Sequence, residues 1–202
     1  WSHISQYLLP KYILSTMYLT FGVGIVSTII GVGCAYMVTC YDFYGRRFVE
    51  WVLVLPMTIP TYIAAYSYYD ALELLTPLML WSRRTLGTDW TIAIENLIVY
   101  LIVMILFSFV LYPYIYITTR ASLILQGSRL IEAASMLGIS SRRVLDKVIL
   151  PLIRPAVIAG LSLVIMETLN DYAAVEYFGI PTLTIGIFRS WFGMNDMASA
   201  LK

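Results

Sequence analysis

The sequence predicts an all-α membrane protein with about four transmembrane helices. Of its 202 residues, 60% are hydrophobic and only 12% are charged, whereas soluble domains carry about 25% charged residues. Residues 12–41, 51–69 and 96–119 contain no charged side chain. About 20 apolar residues are enough to cross the hydrocarbon core of a bilayer. These three segments predict the first three spans.

The first predicted span, residues 13–39, carries small side chains along one stripe. Gly24, Thr28, Gly31 and Ala35 follow one another at spacings of four, three and four residues, which places them on one face of a helix. Small residues let another membrane helix approach closely. The stripe therefore predicts a tight contact with a neighbouring span.

The second predicted span, residues 48–69, contains Pro56 and Pro60. Proline has no backbone N–H, so each proline frees a carbonyl group and bends a helix. Two interpretations are open at this point. The prolines form an irregular element beside a transport pathway, or they hold a fixed kink that serves packing.

The third predicted span, residues 91–118, follows a mixed loop at residues 70–90. On the resulting topology, eight Lys and Arg residues lie on one side of the membrane and five on the other. Lys and Arg concentrate in cytoplasmic loops. The richer side is therefore predicted to be cytoplasmic, and it includes residues 129–151.

The fourth predicted span, residues 155–175, is interrupted by acids. Glu167, Asn170 and Asp171 have i, i+3, i+4 spacing, which predicts that they share one helix face. An acid near the centre of a membrane helix costs about 2.5–3.5 kcal/mol. We therefore expect this face to look into the helix bundle or a watery cavity.

Two roles for these acids are compatible with the sequence. They line a cation pathway, for which hard carboxylate oxygens are suitable ligands. Alternatively, they bond to the backbone groups freed at Pro56 and Pro60 and hold the irregular span in place. No metal site is firmly assigned.

The polar segment at residues 129–151 predicts two short cytoplasmic helices. Gly138 is suited to end the first helix, and Ser140 to cap the second. Ala133 and Ala134 present almost no side chain, so the first helix is able to sit deep in a groove of a partner, with Glu132 fixing its register. The alternative is a solvated loop between two spans.

A run of motifs in this segment resembles a known family. Glu132-Ala133-Ala134, then Gly138, then Val148-Ile149-Leu150-Pro151 resembles the signature loop of permease subunits of binding-protein-dependent ABC importers. Val148 stands where that family usually has Ile. The resemblance implies a type I ABC importer permease bundle in which residues 129–151 form the coupling helix that docks on the ATPase subunit. The implied coupling residues are Glu132, Ala133, Ala134, Gly138, Leu150 and Pro151.

Similarity continues along nearly the whole chain. The stretches "YDFYGRR", "LPMTIPTYIAAYSY", "LYPYIYITTRASL" and "METLNDYAAVEYFGI" resemble the ferric-iron permeases of this superfamily. Branches that carry phosphonates, thiamine or polyamines look similar. The resemblance implies that residues 1–202 are a single permease domain, most of the first half of a longer two-half chain, lacking its last core helix.

The same resemblance implies the partners and the location. These are a cytoplasmic ABC ATPase dimer that carries ATP and Mg, a periplasmic solute-binding protein, and a second permease half in the same chain or in another subunit. The implied location is the lipid bilayer of the bacterial inner membrane, crossed several times.

Other function classes lack their motifs in this sequence. There is no H-E-x-x-H, no G-x-S-x-G, no Cys/His cluster and no G-x-x-x-x-G-K-[ST]. We therefore expect no enzyme activity and no cofactor in this chain. A net charge of +1 offers no basic surface for nucleic acid. A passive channel or secondary transporter explains the spans and the buried acids, but not the docking segment.

Overall fold

The computed structural model describes most of the chain, and its regular structure there is entirely helical. The described residues are 8–74, 77, 88–127, 136 and 141–193. They fall into two compact units. Unit 1 comprises Trp1–Val23, Pro60–Phe107 and Glu167–Lys202, and unit 2 comprises Gly24–Ile59 and Ser108–Met166.

Eight α-helices follow one another in the described residues. They are α1 (Leu9–Cys40), α2 (Arg46–Val52), α3 (Thr61–Leu74), α4 (Thr88–Ser122), α5 (Ser141–Val144), α6 (Leu150–Asn170), α7 (Ala173–Tyr177) and α8 (Leu183–Phe188). A 3₁₀ helix covers Leu55–Thr58, and π-helical turns cover Leu123–Gly127, Leu145–Ile149 and Arg189–Gly193.

Within the described residues, three helical segments are long and apolar enough to cross a membrane. They are Leu9–Cys40, Ile92–Leu125 and Lys147–Asn170. The first and third predicted spans are thus confirmed, and both helices extend beyond their predicted ends. The predicted loop at residues 70–90 is too long, because α3 continues to Leu74 and α4 already begins at Thr88.

The second predicted span is not one continuous helix. Helix α2 ends at Val52, the 3₁₀ helix follows, and α3 begins only at Thr61. Pro56 lies in the first turn of the 3₁₀ helix. The carbonyl of Pro60 accepts the N–H groups of Ile63 at 3.0 Å and Ala64 at 3.2 Å, so Pro60 starts a new helix. The bend expected from the prolines is therefore present, and its two interpretations, an element beside a pathway and a fixed kink for packing, stay predictions.

The fourth span begins and ends earlier than predicted. Helix α6 ends at Asn170, although the Asp171 N–H still donates to the Glu167 carbonyl at 3.0 Å. Asp171 follows the last helical residue, so it does not lie within the span. The reason is local, because its carboxylate accepts the Ala174 N–H at 2.9 Å and caps the next helix.

Residues 141–170 form one helical segment. It passes from α5 through a π-helical turn into α6. Pro151 therefore lies inside continuous helical structure, in the first turn of α6. A π-helical turn directly before it changes the hydrogen-bond register where the missing N–H of proline leaves a gap. Glu132, Ala133, Ala134 and Gly138 lie outside the described residues.

The stripe of small residues on α1 packs as predicted within unit 2. A Cβ atom added at Gly31 would lie 2.9 Å from Ile115 Cβ, and one at Gly24 would lie 3.2 Å from Leu161 Cδ1. Ala35 is fully buried. Gly33, on the same helix, has no atom within 4 Å of an added Cβ. One face of α1 is therefore in close contact and the other is open.

Unit 2 has a core that connects three parts of the chain. Its buried members are Ala35, Tyr112, Tyr116, Leu123, Val144, Ile149 and Ile153. They come from α1, from α4 with its final π-helical turn, and from the helical segment that begins at residue 141. The start of that segment is thus anchored to two membrane helices.

Polar contacts hold the short helices of unit 1. Thr16 Oγ1 accepts the Leu183 N–H at 3.0 Å, and the Thr182 hydroxyl caps α8 by accepting the Ile185 N–H. A turn with Gly179 at φ 69° precedes α8, a conformation that glycine adopts without steric cost. The residues after α6 therefore contain two short helices, α7 and α8.

Candidate functional site

The end of the fourth span is built around the carboxylate of Asp171. This half-buried group accepts hydrogen bonds from the Thr61 hydroxyl and from the Ala174 N–H. Thr61 is the first residue of α3 and Ala174 lies in the first turn of α7. One carboxylate thus joins the ends of three helices in unit 1.

These contacts concern one of the two expected roles of the acids. That role was a bond to backbone groups freed at Pro56 and Pro60. The partners of Asp171 are instead a hydroxyl and an N–H, because an ionised carboxylate accepts hydrogen bonds and cannot pair with another acceptor. The contact nevertheless falls beside the predicted irregular element, since Thr61 directly follows Pro60.

Glu167 and Asn170 lie in the last turn of α6, where Glu167 is half-buried and Asn170 is exposed. The last carbonyl groups of a helix have no partner within it. Here the Thr184 hydroxyl donates to the Leu169 carbonyl at 2.6 Å, which ties this turn to α8. Within the described ranges, no group of three or more His, Cys, Asp and Glu residues is able to hold a metal ion.

A chain of charged side chains forms a second cluster, in unit 2. Arg46 Nη1 lies 2.5 Å from Asp42 Oδ1, and Arg46 Nε lies 3.3 Å from Glu50 Oε1. The other oxygen of Glu50 lies 2.7 Å from Arg120 Nη2. Glu50 therefore holds arginines from two different helices, α2 and α4.

Two tyrosines extend this contact along α4. The Tyr112 hydroxyl donates to the Leu53 carbonyl at 2.8 Å, and the Tyr116 hydroxyl to the Glu50 carbonyl at 3.4 Å. With Arg120, these residues recur every fourth position and so form one stripe. The stripe satisfies polar groups at the end of α2 and at the break that follows.

Sequence reasoning missed this stripe, because it assigned the aromatic residues of "LYPYIYITTR" to the membrane interface. Two signals were available. Tyr112, Tyr116 and Arg120 have helical spacing, and Glu50 is the one acid within the predicted second span. A lone acid in an apolar segment needs a partner, and Arg120 is that partner.

Two of the implied coupling residues lie within the described part of the chain. Leu150 and Pro151 are exposed at the start of α6. Next to them, the side chains of Ile149 and Ile153 are only 2% exposed. The segment therefore has one face fixed in the core of unit 2 and one face available to a partner.

Comparison with known proteins finds similarity to permease proteins of transport systems. The chain is 27% identical over 164 residues to the sulfate transport system permease protein CysT of Escherichia coli. This alignment covers 80% of this chain and 56% of that protein. The chain is also 27% identical over 191 residues to the Fe(3+)-transport system permease protein FbpB 2 of Haemophilus influenzae, covering 93% of this chain and 33% of that protein. The chain thus spans about half the length of the first relative and a third of the second.

A solved structure shares the fold. An inward-facing conformation of the MetNI methionine ABC transporter superimposes with a TM-score of 0.67 at 16% identity, covering 98% of this chain and 88% of that chain. The expected type I ABC importer permease fold is therefore confirmed.

The family follows from the extent of the sequence match. Residues 27–195 match the family described as "Binding-protein-dependent transport system inner membrane component". This is a family of membrane transport components and not of enzymes, in agreement with the missing catalytic motifs. The apolar helices, the shared fold and this match together show that the chain belongs to the inner membrane components of binding-protein-dependent transport systems.

Proposed function

We propose that this chain is the permease part of an ATP-driven importer in the bacterial inner membrane, with ferric iron as its cargo. The observation that carries the proposal is the family match over residues 27–195. A periplasmic binding protein delivers the solute, and ATP with Mg is hydrolysed on a separate ABC ATPase dimer. A second permease half, in the same chain or another subunit, completes the pathway.

The coupling role proposed for residues 129–151 is supported by how the described end of this segment is anchored. Val144, Ile149 and Ile153 are buried in the core of unit 2. A displacement of this segment by the ATPase is transmitted directly to α1 and α4, because close-packed side chains move together. The exposed Leu150 and Pro151 are proposed to face the ATPase.

Ferric iron as cargo is supported by the longer of the two alignments. The match to the Fe(3+) relative covers 93% of this chain, against 80% for the sulfate relative. Glu167 and Asn170 supply oxygen atoms at the end of α6, and hard oxygen ligands suit hard cations. Sulfate is the second candidate, favoured by the CysT relative.

Uptake in intact cells tests both cargoes. Cells that lack the full-length gene receive either the gene or an empty vector, and the uptake of labelled ferric iron and labelled sulfate is measured. We expect the gene to restore iron uptake and to leave sulfate uptake unchanged. Restoration of sulfate uptake alone would replace the cargo but keep the importer. Restoration of neither, with the protein present in the membrane, would contradict the proposed function.

A further inference from the structure

An open apolar groove runs between two membrane helices of unit 2. It has a volume of about 600 Å³ and is lined by α1 from Thr28 to Tyr36 and by α6 from Leu150 to Ile158. From the first to the ninth residue of a helix is about 12 Å, which is less than half of the ~30 Å hydrocarbon core. The groove therefore fits within one leaflet of the bilayer.

The floor of the groove is formed by the open face of α1. Gly33 lines it and has no atom within 4 Å of an added Cβ. Neighbouring Ile29 is 68% exposed, and Ile158 on the opposite wall is 65% exposed. The Thr28 hydroxyl already donates to the Gly24 carbonyl at 2.7 Å. The groove thus offers apolar surface to an apolar chain.

One cation interrupts this apolar surface. Arg154 lines the groove and is exposed, inside the span that begins at Lys147. A charged side chain at this depth is costly unless an opposite charge or water meets it. Arg143 and Lys147 are also exposed on the preceding part of the same helical segment, so three cations lie along twelve residues.

We propose that this groove binds an anionic phospholipid, with an acyl chain over Gly33 and the phosphate at Arg154. Basic pockets between membrane helices bind acidic lipid headgroups, and the long stem of arginine reaches along apolar surface toward the headgroup region. A neutral lipid satisfies the apolar floor but offers no net negative charge to Arg154, the cation that lines the groove. The inference needs only the membrane location of the chain and does not depend on its cargo.

Lipid retention by the purified full-length protein tests the proposal. The protein in mild detergent is mixed with equal amounts of phosphatidylglycerol and phosphatidylcholine that carry the same acyl chains, and bound lipids are counted by native mass spectrometry. We expect at least a fivefold preference for phosphatidylglycerol, since one basic residue near an anionic headgroup contributes about 1 kcal/mol, or about fivefold.

Two variants separate the headgroup from the acyl chain. Arg154→Gln is expected to reduce the preference about fivefold, and Arg154→Lys to retain it. Gly33→Leu fills the groove without a clash, so it is expected to reduce the binding of both lipids. The matched controls are Arg47→Gln, an exposed arginine on α2, and Ala159→Leu, an exposed position on α6 outside the groove; both are expected to behave like the wild type.

Several outcomes would overturn the proposal. One is an unchanged preference in Arg154→Gln, and another is unchanged lipid binding in Gly33→Leu. If Gly33→Leu instead released the second permease half while lipid binding stayed constant, the groove would belong to a protein contact. Release of phosphatidylglycerol by inorganic phosphate alone would reduce the site to an anion site without an acyl chain.

Discussion

Asp171 and Thr61 form a hydrogen bond across 110 residues of sequence, and this contact ties the start of α3 to the residue that follows α6. Thr61→Val removes the donor while keeping the shape of the side chain. Because a hydrogen bond to a charged group contributes about 1.5–3 kcal/mol, we expect the free energy of unfolding to fall by about this amount. Denaturation of the purified full-length protein in detergent measures the change.

Thr58→Val is the matched control for this prediction. The Thr58 hydroxyl donates to the Leu55 carbonyl at 2.7 Å, but this bond joins residues three apart in one 3₁₀ helix and reaches no other element, so its loss should leave the start of α3 in place. Equal stability of the two variants would show that the bond between Thr61 and Asp171 does not hold α3.

The acids of unit 2 differ in how much each one stabilises the protein. The side chain of Glu50 is 20% exposed and lies 2.7 Å from Arg120, whereas that of Asp42 is 95% exposed. Glu50→Gln removes the counter-charge of Arg120 and leaves Arg46 with Asp42 alone, so we expect it to lower the free energy of unfolding by about 1–3 kcal/mol. Asp42→Asn should change it by less than about 1 kcal/mol.

Thermal unfolding at low and high salt measures both effects. Added salt screens exposed charges more than half-buried ones. The small effect of Asp42→Asn should therefore vanish at high salt, while that of Glu50→Gln should persist. An effect of Glu50→Gln that disappears at high salt would contradict a half-buried ion pair.

We expect a Gly→Ala substitution to have opposite effects on stability on the two faces of helix α1. Gly31→Ala places a Cβ atom 3.0 Å from the Tyr112 carbonyl oxygen and 2.9 Å from Ile115 Cβ, so we expect a loss of about 1–3 kcal/mol from overpacking. Gly33→Ala meets no atom within 4 Å. Alanine is favoured over glycine in a helix by about 1 kcal/mol, so this variant should be as stable as the wild type or more stable.

Urea denaturation of the two alanine variants in the same detergent compares these faces directly. The spacing of the small residues had already indicated the packed face. The sequence could not indicate which glycine outside that stripe remains open, since this depends on where α4 and α6 lie. Equal destabilisation by both substitutions would mean that Gly33 is also packed.

At the scale of the whole molecule, the proposed docking of the ATPase on residues 129–151 can be tested by substitution. Glu132→Arg combined with Gly138→Val reverses the register charge and removes the glycine stop, so we expect both ATPase co-purification and solute uptake to be lost while the protein still reaches the membrane. Arg47→Gln, outside the segment, should retain both. Continued co-purification of the ATPase with the double variant would contradict docking through these residues.

Features that depend on local composition could be predicted from the sequence, whereas features that depend on contacts between distant residues could not. Charge-free windows predicted the two continuous spans at Leu9–Cys40 and Ile92–Leu125, because membrane insertion depends on the local composition. The prolines indicated an irregular second span, but not that its first helix ends at Val52, and the early end of α6 at Asn170 was not predicted. The broken segment accepts bonds from Tyr112 and Tyr116, which are distant in sequence. Beyond the end of α6, Asp171 accepts one bond from the nearby Ala174 and one from the distant Thr61. The predicted segment containing Glu132 and Gly138 lies outside the described residues and stays a prediction.

The stripe of Tyr112, Tyr116 and Arg120 has a consequence for the biogenesis of the protein. It satisfies the carbonyl groups of Glu50 and Leu53, but the tyrosines that do so lie 66 and 59 residues further along the chain, respectively. While the ribosome is still making α4, the broken segment has no such partners, and an unsatisfied backbone group costs several kcal/mol in lipid. The broken segment therefore settles in the bilayer only once α4 has emerged. Stable insertion of this segment thus depends on a part of the same chain that is synthesised later.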